Sequence, residues 1–107
     1  MNKISVIIPA LNEEKSISKV ISSIPKYVNE IIVVDNGSAD KTSEIAKSKG
    51  ALVLFESKKG YGYACIKAIE FLKSNPPNII VFLDGDYSDY PEEMDLLINP
   101  IIKNKYE

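Results

Sequence analysis

The sequence predicts a three-layer α/β/α domain on a mainly parallel, doubly wound sheet, and two patterns point there. Four short β-branched runs, at 4–8, 30–34, 51–55 and 79–83, alternate with segments of helical period, the mark of successive βαβ units. The runs are also apolar at nearly every position, as strands covered on both faces are, rather than alternating apolar with polar. A length of 107 residues, 45% of them hydrophobic and 26% charged, suits one domain over residues 1–107 with one continuous core.

Each element has a local reason. The first strand, 4–8, runs into Pro9. A helix over 13–24 follows, because Ile17, Val20, Ile21 and Ile24 recur at i, i+3, i+4 and i+7, with Asn12 as its cap and Pro25 as its stop. The second strand, 30–34, leads into Asp35. A helix over 41–49 is then capped by Ser38 or Asp40, shows a narrow apolar face of Ile45 and Ala46, and ends at Gly50 as a C′ glycine. After the strand at 51–55, a helix over 61–74 carries a stripe of Cys65, Ala68, Ile69 and Leu72, and Asn75-Pro76-Pro77-Asn78 turns the chain into the fourth strand. A last helical segment opens near Pro91, with Glu92 and Glu93 at the positive end of its dipole and Pro100 bending or dividing it.

Composition removes several functions. There is no histidine, so imidazole catalysis and His-ligated zinc are excluded, and a net charge of −2 gives no footprint for nucleic acid. The single cysteine, Cys65, cannot form an internal disulfide and reads as a small core residue. The apolar run at 4–8 is too short for a signal peptide or a membrane span, which makes a cytoplasmic location the expectation.

In doubly wound sheets, ligands bind outside the carboxyl ends of the strands. That rule selects residues 9–13, 35–40, 57–62 and 84–89, and three of these four stretches carry acidic groups. The most telling is Asp84-Gly85-Asp86 at the end of the fourth strand. In an extended chain, Asp84 and Asp86 point the same way and converge on one point, while Gly85 lets a ligand approach the backbone. Paired carboxylates suit Mg²⁺ or Mn²⁺, ions that fill their remaining coordination with water and substrate phosphate. The competing reading makes one Asp a helix cap and the other a solvated loop residue.

Other nucleotide folds are a poor match. The turn after the first strand, Pro9-Ala10-Leu11-Asn12-Glu13-Glu14, has no dinucleotide-binding glycines, and no glycine-rich loop ends in Gly-Lys-Ser or Gly-Lys-Thr. An Asp-x-Asp after the fourth strand rather than the first also departs from aspartyl phosphatases.

Three ordered stretches carry a resemblance: residues 6–14 with Pro9-Ala10-Leu11-Asn12-Glu13-Glu14, residues 33–42 with Asp35-Asn36-Gly37-Ser38, and Asp84-Gly85-Asp86 with Pro91-Glu92 beyond. Together they resemble family-2 glycosyltransferases. With Lys59-Gly60-Tyr61-Gly62 between them, the chain is similar to the branch containing dolichol-phosphate mannose synthases. The resemblance implies the nucleotide-sugar half of a GT-A fold. Pro9, Ala10, Leu11, Glu13, Asp35 and Gly60 would bind a UDP- or GDP-sugar, with Asp35 on the base. Asp84 and Gly85 would meet the donor too, and Asp84 and Asp86 would hold Mg²⁺ or Mn²⁺ on its diphosphate.

It further implies a polyprenyl-phosphate acceptor, and places the acceptor-binding half and the catalytic base beyond residue 107. Ser88 stands where close polyprenyl-phosphate transferases often have a glutamine ligand. Without that half, exposed sheet edge and apolar surface would favour a homo-oligomer, and membrane association would belong to a longer parent. The alternatives are a non-catalytic nucleotide-binding module and a sugar nucleotidyltransferase; the latter normally shows a glycine-rich basic loop after the first strand.

Overall fold

The computed structural model describes residues 3–83 and Gly85. The expected helical segment from Pro91, and Asp84, Asp86 and Ser88, lie outside the described residues. Seven elements follow in order: β1 (Ile4–Ala10), α1 (Ile17–Ser23), β2 (Glu30–Asp35), α2 (Thr42–Ser48), β3 (Leu52–Phe55), α3 (Tyr61–Leu72) and β4 (Ile79–Phe82). The sheet has the order β3-β2-β1-β4, and each neighbouring pair is parallel. The expected doubly wound arrangement is what forms.

The period of two along β1 divides the interior. Val6 and Ile8 face Ile17, Val20 and Ile21 of α1 together with Val33 and Val81, whereas Ile7 joins Ile32 and Val34 against Ala64, Ala68 and Leu72 of α3. All of β1 is buried, as the central strand of a covered sheet must be. Proline is tolerated in this strand for a positional reason. The Ile7 carbonyl accepts from the Leu83 N–H at 3.0 Å, so Pro9, two residues on, faces the same neighbour beyond the last described pair, Ile7 with Phe82.

Several details differ from expectation. Helix α1 begins at Ile17, not at residue 13, and Asn12 is not its cap. Asn12 sits at φ 54°, and its side-chain oxygen takes the Ala39 N–H at 2.8 Å, while residues 13–16 turn onto the Glu13 carbonyl, which accepts from Ser16 and Ile17. In α3 the buried stripe is Ala64, Ala68 and Leu72; Cys65 is half-buried and Ile69 is exposed. Small residues win that face because they let the helix approach the sheet closely. Finally, β3 is an edge strand, and Leu52 and Phe55 are exposed rather than covered on both faces.

The expected C-terminal end of α2 holds, but its start does not: the helix begins at Thr42, the cap position is Lys41 rather than Ser38 or Asp40, and its side chain makes no capping bond. Asp40, one residue before the cap, accepts the Thr42 N–H through Oδ1 at 3.0 Å. At the other end, Gly50 (φ 93°) donates to the Lys47 carbonyl and Ala51 to that of Ala46, a Schellman closure.

Candidate functional site

Because every described strand runs parallel, the chain leaves all four at one edge of the sheet. There the strand ends and turns enclose a cleft of about 330 Å³, lined by Pro9 and Ala10 at the end of β1, Leu11 and Glu13 after it, Asn36 after β2, Lys59 and Gly60 before α3, Tyr61 at its first position, and Gly85 after β4.

Side chains brace this rim across the sequence. The turn after β1 offers three consecutive backbone N–H groups to the turn after β2: Asn12 donates to Ser38 Oγ at 2.9 Å, Glu13 to Thr42 Oγ1 at 2.9 Å and Glu14 to Asp40 Oδ2 at 3.2 Å. On the other side of β1, Ser16 Oγ donates to the Gly85 carbonyl at 2.6 Å. A Cβ on Gly85 would stand 3.1 Å from Glu13 Cγ and 3.4 Å from Ala10 Cβ, so a side chain here would crowd Glu13 at the cleft floor.

Asp35, at the end of β2, is 6% exposed. Its Oδ1 accepts the Gly37 and Ser38 N–H groups at 3.1 and 2.7 Å, and its Oδ2 accepts the Ser43 hydroxyl. Burial pushes this carboxyl upward, but the bonds from Ser43, Ser38 and Gly37 together outweigh it and hold its pKa below the ordinary 3.8. The group is therefore an anion that fixes the turn over 36–38.

Asn36 joins this turn to the loop after β3. Its Nδ2 donates to the Glu56 and Lys58 carbonyls at 2.9 and 2.7 Å, and its Oδ1 accepts the Gly60 N–H at 2.9 Å. The Lys59 ammonium closes the arrangement by donating to the Asn36 carbonyl at 3.2 Å. Gly37, at φ 101°, takes a conformation strained for any other residue, and a Cβ there would lie 2.7 Å from Lys59 Nζ and displace the lysine end. Among the described lining residues, Glu13 and Lys59 carry the charge.

The structure thus brings together Pro9, Ala10, Leu11, Glu13, Gly60 and Gly85 in one cleft. Asp35 shares the edge but does not line the cleft. Asp84 and Asp86 lie outside the described residues, although Gly85 between them lines it. Asn36, Lys59 and Tyr61 also line it; they fall within the stretches 35–40 and 57–62 that the sequence selects, but nothing in the sequence assigned them an individual role. The Asp-Asn-Gly turn and the adjacent lysines were the available signal. Burial raises the pKa of the Cys65 thiol, a bond with Tyr61 opposing it in part, so the sulfur is not poised as a nucleophile.

The chain matches the family model described as Glycosyl transferase family 2 over residues 5–107. It belongs to that family. An uncharacterised protein of Methanocaldococcus jannaschii is 37% identical, the match covering 99% of this chain and 44% of the relative. The low-salt glycan biosynthesis hexosyltransferase Agl6 of Haloferax volcanii is 34% identical over 92% of this chain and 24% of its own length. Among solved structures, glucosyl-3-phosphoglycerate synthase from Mycobacterium tuberculosis in complex with UDP is 34% identical with a TM-score of 0.81, covering 96% of this chain and 41% of that one. The same enzyme with Mn²⁺, UDP and glucosyl-3-phosphoglycerate is 36% identical with a TM-score of 0.68, over 78% and 33% of the two chains. This family-2 chain spans less than half the length of each of these relatives. No helix among its described residues is long and apolar enough to cross a membrane.

Proposed function

We propose that this chain is the donor-binding part of a glycosyltransferase that moves a sugar from a UDP- or GDP-sugar to an acceptor. The observation that carries the reading is the meeting of Pro9, Ala10, Leu11, Glu13, Gly60 and Gly85 in one cleft at the carboxyl edge of a parallel sheet. Pro9, Ala10 and Leu11 form a wall for the base and ribose. Glu13 and Gly60 face the nucleotide, and Asp35 supports the base end through the turn it holds. Asp84 and Gly85 meet the donor at the β4 side.

Mg²⁺ or Mn²⁺ fits the donor set: Asp84 and Asp86 offer hard carboxylate oxygens on either side of Gly85, whose missing side chain leaves room for a diphosphate. Such an ion stabilises, as a Lewis acid, the charge that develops on the departing nucleoside diphosphate. The solved complexes of the mycobacterial relative with Mn²⁺ or Mg²⁺ and UDP support both the metal and a uridine donor.

The finer reading is a dolichol-phosphate mannose synthase-like enzyme with a polyprenyl-phosphate acceptor, cytoplasmic or membrane-associated in a longer parent, in which the acceptor half and catalytic base lie beyond residues 1–107. Residues 1–107 act as one domain. Exposed Leu52 and Phe55 on the β3 edge, with Ile66 and Phe71 on α3, support self-association into a homo-oligomer. Calorimetric titration of the chain with UDP and GDP, with Mn²⁺ or with EDTA, tests the reading. Metal-dependent binding is expected, with little transfer to added acceptor; absence of binding under all four conditions would refute it.

A further inference from the structure

We propose that Ser16 is a positioning residue for the metal: its hydroxyl holds the Gly85 peptide and so sets the direction in which the flanking carboxylates, Asp84 and Asp86, meet Mg²⁺ or Mn²⁺. The inference rests on the metal and nucleotide reading above and gives a role to a residue that does not itself line the cleft.

Ser16 stands in the N-cap position of α1, where a serine ordinarily turns its oxygen back to accept a backbone N–H of the first helical turn. Here that bond is not made. A hydroxyl has one proton to give, and this one donates to the Gly85 carbonyl at 2.6 Å, 69 positions along the chain, in preference to the Glu13 carbonyl at 3.5 Å. A side chain suited to capping its own helix serves another loop instead.

Fixing that carbonyl matters because of what is bonded to it. The carbonyl carbon of Gly85 is joined to the nitrogen of Asp86 in one planar peptide, so holding the oxygen stops the peptide from turning and swinging Asp86 with it. Glycine, with the widest choice of backbone angles, is where such turning is easiest. Ser16 is itself held, because its N–H and that of Ile17 donate to the Glu13 carbonyl at 3.0 and 2.8 Å. The turn after β1 and the residue between the two carboxylates are therefore parts of one corner. Mg²⁺ demands near-ideal octahedral geometry, and groups that orient metal ligands without touching the ion govern its affinity.

The test is calorimetric titration of UDP into the wild-type chain, Ser16→Ala and Ser16→Thr, each with Mn²⁺ and with EDTA, alongside electron paramagnetic resonance of the Mn²⁺ left free. Ser16→Ala should lose about tenfold of the UDP affinity measured with Mn²⁺, the scale on which ligand-orienting groups act, with a matching rise in free ion. Its affinity in EDTA should stay within about twofold of the wild type, and Ser16→Thr, which keeps the hydroxyl, should behave as the wild type does. Equal Mn²⁺ dependence in the wild type and Ser16→Ala, a loss in EDTA as large as that in Mn²⁺, or failure of Ser16→Thr to retain the wild-type response overturns the inference and leaves the nucleotide site standing. If UDP binding by the wild type ignores Mn²⁺, the metal reading fails and the inference with it.

Discussion

The side chain of Asn36 accepts the Gly60 backbone N–H at 2.9 Å and so fastens the end of β2 to the start of α3. The same amide donates to the Glu56 and Lys58 carbonyls. Asn36→Ala should cost about 1–3 kcal/mol, because it strands groups that the amide satisfied. Urea denaturation with an unchanged m-value checks the stability term. UDP affinity should fall as well, since Gly60 and Lys59 lose their common anchor.

Acid should weaken the fold through Asp35. Its pKa in the folded chain lies below the ordinary 3.8, so the unfolded chain binds the proton first. The stabilisation is complete above the ordinary value and is lost as pH falls through the lower, folded one. Denaturation midpoints measured from pH 6 down to about pH 2 should therefore decline below about pH 4. Asp35→Asn should be less stable at neutral pH and show a shallower acid decline.

Gly50 tests backbone conformation without packing. Its φ of 93° is unfavourable for any other residue, yet nothing lies within 4 Å of where a Cβ would stand. Gly50→Ala should lower stability by about 1 kcal/mol, seen as a fall of several degrees in Tm, with nucleotide binding unaltered.

Gly85 tests the cleft floor. Gly85→Ala puts a methyl group 3.1 Å from Glu13 Cγ, a contact the flexible Glu13 side chain can relieve only by moving within the cleft. Stability should change by less than about 1 kcal/mol, while UDP affinity falls about tenfold by calorimetry.

Removing the metal separates the two carboxylates' role from that of the cleft. EDTA should weaken UDP binding to the wild type, and Asp86→Asn should weaken it with Mn²⁺ present and make it insensitive to EDTA. Unchanged Mn²⁺ dependence in that variant would exclude Asp86 as a ligand.

Strand positions were legible because burial on both faces writes continuous apolar runs, as in β1 and β2, and the parallel topology then located the ligand edge. Helix faces were less so. In α3, Cys65 and Ile69 look more apolar than Ala64, but closeness to the sheet selects small residues, which hydropathy does not encode. Asn12 resembled a cap because capping and turn residues share one chemistry; only the three-dimensional pairing with Ala39 separates them. Asn36 and Lys59 lay in the selected stretches, yet their individual roles were hidden for a similar reason. Their importance lies in bonds between segments 20 or more residues apart, whose partners are mostly backbone atoms and leave no trace in residue identity.

The alanine seam beneath α3 has a dynamic consequence. Ala64 and Ala68 present smooth ground to Ile7, Ile32 and Val34, whereas α1 interlocks through branched side chains. A smooth contact resists sliding less than an interlocked one, so α3 should be the layer whose amides exchange with deuterium soonest. Gly60 and Tyr61 stand at its first turn. Ligand capture at that corner should accordingly slow exchange along the whole helix, down to Leu72 at its distant end.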